Sequence, residues 1–89
     1  MKFSSFEWDE HNLFHAIRHG VSREEIEEVI IGAQLIRKGK SGVYVAYGQT
    51  MDGRYVIAIF EYKGHGLVRP FHARPMTSNE KKRLKRWTK

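Results

Sequence analysis

The chain of 89 residues contains no cysteine, only two prolines and no apolar run as long as a membrane span. Without cysteine it can form neither a disulfide nor a thiolate metal site. A transmembrane helix needs about 20 consecutive apolar residues, and residues 1–5 also lack the apolar core of a signal peptide. These absences predict a cytoplasmic protein that does not enter a membrane.

Length and composition predict one folded domain that spans residues 1–89. A chain of this size has room for a single core and buries roughly 60–65% of the surface that the unfolded chain exposes. Hydrophobic residues make up 40% of the sequence, with five Phe, four Tyr and two Trp, which argues against disorder. No internal repeat or linker is present.

Acidic residues are scarce in the second part of the chain, although the net charge is only +6. Residues 1–35 carry seven acidic and three basic side chains, whereas residues 36–89 carry thirteen basic and three acidic ones. Residues 69–89 alone contain eight Lys or Arg and a single acid, Glu80. Such a concentration of positive charge is typical of a surface that binds nucleic acid, and the alternative is a charged surface that only aids solubility.

Two helices are predicted in the N-terminal part. Asp9 is an N-cap candidate for the first, which runs through His19 and stops at Gly20. The segment 22–25, Ser-Arg-Glu-Glu, is a capping box for the second helix, which ends near Ile31. Helical spacing predicts that the apolar face of the first helix consists of Leu13, Phe14 and Ile17.

After the second helix the hydrophobic period changes to two, which indicates β-strands. We predict a short first strand at 6–8 and a sheet of four longer strands at about 33–38, 42–49, 54–63 and 66–74. Asp52 and Gly53 favour a tight hairpin between the middle pair, and the segment 56–60 is apolar on both faces, which is typical of a central strand. Strands grouped after helices predict an α+β fold with a mainly antiparallel sheet.

A third helix is predicted after Pro75, where the segment 77–80 forms a second capping box. Leu84 and Trp87 are three residues apart and would anchor this helix to the sheet. Its cations are candidate RNA-binding residues, although a charged helix face is often simply solvated. They are Lys81, Lys82, Arg83, Lys85 and Arg86.

Three histidines, His11, His15 and His19, are spaced four residues apart and form one stripe on the first helix. Such a stripe can chelate zinc. The stripe lies opposite the predicted apolar face, however, where imidazoles would lack the fixed hydrogen-bond partners that metal ligands usually have. We therefore expect no metal and no cofactor, and interpret the stripe as a contact for RNA or a partner protein, or as plain surface.

Candidate catalytic residues lie on the last predicted strand, at Arg69, His72 and Arg74. Metal-independent RNA cleavage needs a base for the 2′-OH, an acid for the leaving 5′-oxygen, and cations for the charge that develops on phosphorus. An imidazole titrates near neutral pH, so His72 can act as base or acid. Guanidinium groups stay protonated and suit charge stabilisation, a role that also fits Arg54 after the Asp-Gly turn.

Strand alternation alone would place Arg69 on the face opposite His72. Pro70 favours a bulge between them, because proline cannot donate to the hydrogen-bond ladder, and one extra residue would bring Arg69 to the His72 face. The alternative interpretation is structural: the arginines pair with acidic side chains and His72 is a buried, hydrogen-bonded side chain. The acidic candidates are Glu7, Glu61 and Glu80.

A family resemblance rests on the order and spacing of several motifs spread over nearly the whole chain. They lie at residues 6–12, 15, 19–21, 48–50, 52–54, 72–77 and 80. Together they resemble the BrnT family, toxins of type II toxin–antitoxin pairs with a RelE-like ribonuclease fold. The resemblance implies an endoribonuclease that cuts RNA to inhibit translation and is neutralised by a cognate BrnA-type antitoxin. It also implies a fold of two N-terminal helices, a four-stranded mainly antiparallel sheet and a C-terminal basic helix.

By position, Arg54, Arg69 and Arg74 match basic positions of that family, and Glu80 and Arg83 match the acidic and basic positions of its last helix. The chain departs from the family at His72, where Ser or Thr is common, and at Pro70, where an aliphatic residue is usual. The remaining alternative is a non-catalytic module of the same fold that binds nucleic acid or protein.

Overall fold

Three capped helices and five strands make up residues 2–88, the part of the chain that the computed structural model describes. None of these helices is both long and apolar enough to cross a membrane. In chain order the elements are β1 (Ser5–Phe6), α1 (Glu10–Ile17), α2 (Arg23–Ile31), β2 (Leu35–Lys38), β3 (Val43–Gln49), β4 (Tyr55–Gly64), β5 (Leu67–Pro75) and α3 (Ser78–Trp87). The predicted α+β class is therefore confirmed.

The strands form one mixed sheet in the order β1-β5-β4-β3-β2. The predicted antiparallel strands β2 to β5 are present, with the expected hairpin between β3 and β4. The prediction of a four-stranded sheet is wrong, because β1 adds a fifth strand parallel to β5. The amides of Ser4 and Glu7 attach it by donating to the carbonyls of Gly66 and Val68.

Each helix begins at the cap that its sequence predicts. Asp9, Ser22 and Thr77 each accept a hydrogen bond from the third backbone amide of their helix, and each capping box is complete. The first helix ends at Ile17, before the predicted His19. The chain turns there so that Val21 enters the core, where it is 1% exposed.

The sheet carries helices on both faces. On one face α1 and α2 cover a core that includes Ile26, Ile30 and Phe60. On the other face α3 covers a smaller core of Ile57, Met76 and Leu84. The predicted central strand at 56–60 is confirmed, because successive β4 residues point alternately into the two cores.

The orientation of α1 differs from the prediction. Its buried residues are Asn12 and Ala16, whereas Phe14 is 67% exposed and Ile17 38% exposed. The Asn12 amide group donates to the carbonyls of Glu7 and Pro70, at 2.9 and 2.8 Å. These bonds fix the rotation of the helix about its axis. A buried amide without hydrogen-bond partners would cost more free energy than the exposure of an apolar side chain, so the helix buries the amide. His11 and His15 of the histidine stripe consequently face residues of β4 and β5.

Candidate active site

A groove of about 590 Å³ lies between α1 and the uncovered part of the sheet next to β5. Its titratable lining comes from three elements, and we call it the histidine groove. The titratable residues are His11, His15 and Arg18 from α1 and its end, Glu61 from β4, and Arg69 and His72 from β5. A cleft of this size that brings together several titratable groups is the default candidate for a binding or catalytic site.

The β5 strand contains the predicted bulge. Ile59 of β4 pairs with His72 and the next β4 residue, Phe60, pairs with Pro70, so Phe71 is an extra residue in β5. The bulge shifts the alternation by one residue, and Arg69 and His72 both line the groove as a result.

The imidazole of His72 is half-buried and lies against His19, with ring centroids 5.1 Å apart. Burial lowers the pKa of His72 below its usual value of 6.5, and the nearby His19, Arg74 and Arg18 lower that pKa further. Both effects disfavour the charged form. His72 is therefore mainly neutral at pH 7 and able to accept a proton.

The two β5 arginines are held by acidic side chains. Arg69 lies 2.9 Å from Asp9 and 3.2 Å from Glu7. Arg74 makes a two-pronged contact with Glu80, at 2.7 Å for each hydrogen bond. The predicted ion pairs with Glu7 and Glu80 are thus present, whereas Asp9 is a partner that was not predicted. A bound phosphate would have to share these guanidinium groups with carboxylates.

Glu61 is not one of these partners, because it faces Lys63 at 3.9 Å. The structure places Arg54 outside the groove, on the side of the sheet that carries α1 and α2. Its guanidinium contacts Glu25 at 2.9 Å and donates to the carbonyl of Gly20. These contacts tie the β3–β4 turn to the start of α2, and the pKa of the Glu25 carboxyl is lowered by the hydrogen bonds from Ser22 and Arg54.

Arg18 is a groove residue that the sequence did not single out. Among residues 2–88 it is the groove arginine with no acidic side chain within 4.0 Å. The sequence pattern predicts His11 and His15 on the solvent side, whereas both line the groove. The available signal was Ala16, the small residue next to His15, which is fully buried near the end of α1.

The exposed cations of α3 form a second feature, which we call the basic surface. None of them lies within 4.0 Å of an acidic side chain in the described part of the chain. Its members are Lys81, Lys82, Arg83, Lys85 and Arg86, and Arg37 of β2 extends it by stacking on Trp87 at 4.1 Å. Leu84 is fully buried and anchors the helix as predicted, while Trp87 packs its ring near Tyr47.

Within residues 2–88, no group of three or more His, Asp or Glu side chains is arranged to hold a metal ion. This chain matches no protein-family model, and no curated protein matches it at a significant level. The relation to the BrnT family stays a prediction from the motifs.

Glu80→Gln is expected to reduce the acid sensitivity of the fold. The Arg74 hydrogen bonds lower the pKa of Glu80 from 4.5 to about 2, so its contribution to stability is present above pH 4.5 and lost as the pH falls towards 2. Glutamine keeps the capping contact with Thr77 but cannot titrate. Urea unfolding should show Glu80→Gln less stable by about 1–2 kcal/mol at pH 7 and level with the wild type near pH 2. A constant difference across this range would contradict the assignment.

Proposed function

We propose that this protein is an endoribonuclease toxin of the BrnT type with a RelE-like fold, which cleaves RNA without a metal ion and thereby inhibits translation. A cognate BrnA-type antitoxin is the partner that would neutralise it. The proposal rests on the motif resemblance and on one structural observation, the bulge in β5. That bulge aligns Arg69 and His72 in one groove, with Arg74 two residues beyond.

The groove chemistry fits phosphodiester cleavage by general acid–base catalysis. Neutral His72 can take a proton from a ribose 2′-OH, or return one to the leaving oxygen once charged. Arg18 is free to contact a phosphate oxygen, and Arg69 and Arg74 retain N–H groups that their carboxylates do not occupy. The acid partners hold these arginines in place, which favours a preorganised site.

The basic surface supplies the second part of the proposal, binding of the RNA backbone. Its cations are exposed and unpaired in the described residues, and Trp87 and Tyr47 lie among them as flat apolar surface. Lys and Arg bind phosphates through charge and do not by themselves read sequence. The α3 helix would thus bind RNA of many sequences and deliver it to the groove.

Incubation of the purified protein with RNA in EDTA tests the function directly. Cleavage should persist without metal and leave fragments with 2′,3′-cyclic phosphate ends, because the 2′-OH is the attacking group. Induced expression in a bacterial host should arrest growth, and a cognate antitoxin should relieve the arrest. Intact RNA at all protein concentrations, together with normal growth, would overturn the proposal.

The rival function is a non-catalytic module that binds RNA or protein with the same surface. The ion pairs of Arg69 and Arg74 favour it, since carboxylates within 3.2 Å already neutralise the proposed charge stabilisers. A protein that retains RNA in a filter-binding assay without shortening it would support this alternative over the enzyme.

RNA affinity is expected to fall steeply with salt. If about four or five cations of the basic surface contact phosphates, the log–log slope of affinity against salt should be about −3, because each single-stranded contact contributes roughly −0.7. Lys82→Gln and Lys85→Gln should each reduce the slope by about 0.7. Arg23→Gln on α2, which removes a cation paired with Glu27, is the control and should leave the slope unchanged. A slope near zero would show that the α3 cations do not contact RNA phosphates.

A further inference from the structure

Histidines from two elements meet in the histidine groove. His11 and His15 line it from α1, with their ring centroids 4.9 Å apart, and His72 lines it from β5. Five histidines occur in the whole chain, and His65 in the β4–β5 turn is the one outside this region. A sequence with few histidines that places most of them around one cleft suggests a joint role for the imidazoles.

His15 is the α1 histidine best placed to act with His72. His11 is exposed near the start of the helix, whereas His15 is half-buried one turn further along. His19 lies past the end of α1 and packs directly on His72, which leaves no room for a phosphate between the two rings. His15 and His72 line the groove from different elements, α1 and β5.

We propose that His15 is a second catalytic residue and that His15 and His72 form a general acid–base pair for cleaving an RNA phosphodiester. This inference rests on the proposed ribonuclease function and deepens it by naming the missing proton-transfer group. The resemblance to the BrnT family assigns no role to His15 beyond sharing a motif position.

The pair accounts for both proton transfers of the reaction. Neutral His72 removes the proton of the 2′-OH, the 2′-oxygen forms a bond to phosphorus, and the bond from phosphorus to the 5′-oxygen breaks. Protonated His15 gives its proton to that 5′-oxygen. The products are a 2′,3′-cyclic phosphate and a 5′-hydroxyl, so no metal, oxidant or further reactant is needed. In-line attack places the entering and leaving oxygens on opposite sides of phosphorus, which suits imidazoles from opposite walls of a groove.

The charged groups around the pair support this division of roles. His72 faces His19, Arg18 and Arg74, a cationic environment that favours its neutral form. Glu61 from β4 is the acidic side chain that lines the same groove, and a bound phosphate would add negative charge there. Arg18 and Arg69 line the same groove and can hold the non-bridging oxygens.

Cleavage of a diribonucleotide by His15→Gln and His72→Gln across pH 5–9 tests the pair. The wild type should give a bell-shaped profile of kcat/KM, and each variant should lose one limb and roughly 10²–10⁴-fold in rate. A substrate with sulfur in place of the bridging 5′-oxygen assigns the roles, because a thiolate leaves without protonation. It should restore His15→Gln to near the wild-type rate and leave His72→Gln slow.

The matched control is His65→Asn, which removes a histidine outside the groove at a position of positive φ, 53°, that asparagine tolerates. It should keep the wild-type rate and profile. If His15→Gln does not fold by circular dichroism, His15→Ala with added imidazole replaces it, and recovery of the rate with imidazole supports the pair. A wild type that cleaves RNA with a His15 variant of unchanged rate and profile would overturn this inference alone. A wild type without cleavage would overturn the proposed function as well.

Discussion

Asn12→Leu is expected to lower the free energy of unfolding by about 3–5 kcal/mol, which is a large part of the total stability of so small a domain. Asn12 is only 2% exposed, and its side chain satisfies three backbone groups. It accepts from the Asp9 amide at 2.7 Å and donates to the carbonyls of Glu7 and Pro70. Leucine fills a similar volume but leaves the buried Pro70 carbonyl, and the part-buried Glu7 carbonyl and Asp9 amide, without this partner. Urea unfolding followed by circular dichroism measures the change.

The matched control for this substitution is Asn79→Leu, in the exposed first turn of α3. A surface substitution of this kind should change stability by no more than about 0.5 kcal/mol. A loss below 1 kcal/mol in Asn12→Leu would show that the bond to Pro70, which joins α1 to the bulge of β5, is not what orients the helix.

Arg74→Ala is expected to reduce the RNA cleavage rate by about 10²–10³-fold while the domain stays folded. The guanidinium is 38% exposed and lies on the same strand as His72, within electrostatic reach of its imidazole. Arg74→Lys should recover only part of the rate, because an ammonium keeps the charge but loses the planar fork that binds two oxygens at once. Single-turnover cleavage of a labelled RNA measures the effect, and the same variants should lose growth arrest in cells.

Arg23→Ala is the control for Arg74→Ala, since Arg23 is also an exposed arginine in an ion pair, on α2 and outside the groove. Equal loss of activity in both variants would point to a general effect of charge. Undiminished growth arrest by a folded Arg74→Ala protein would remove Arg74 from the site and leave Arg18 and Arg69 as the cations for the phosphate.

Ion pairs hold both β5 arginines of the site in place. Arg69 and Arg74 are positioned before any ligand arrives. Binding of a phosphate to them would therefore cost little conformational entropy of the arginine side chains. The positive electrostatic potential of these arginines is weaker than their own charges would produce, because Glu7, Asp9 and Glu80 neutralise it. Long-range attraction of RNA would then come from the basic surface, and chemistry from the groove.

Local signals in the sequence were sufficient for the helix starts and for the main turns. The Asp9 N-cap, the capping boxes at Ser22 and Thr77, the Asp52-Gly53 turn and the bulge near Pro70 were all predicted and are all present. Each depends on hydrogen bonds or dihedral limits within a few residues, so the information lies within the segment itself. The α+β class followed from the same elements taken in order.

The assembly of the groove was decided by tertiary structure. The α1 helix has only eight residues, so its own pattern selects a face weakly, and Asn12 turned it by bonding Pro70, 58 residues away. That rotation brought His11 and His15 to the groove and exposed Phe14. The parallel pairing of β1 and the partners of Arg69 likewise depend on chain segments far apart in sequence. The sequence by itself determined which residues could carry the chemistry, because that is a property of side chains, whereas long-range contacts decided which of them meet.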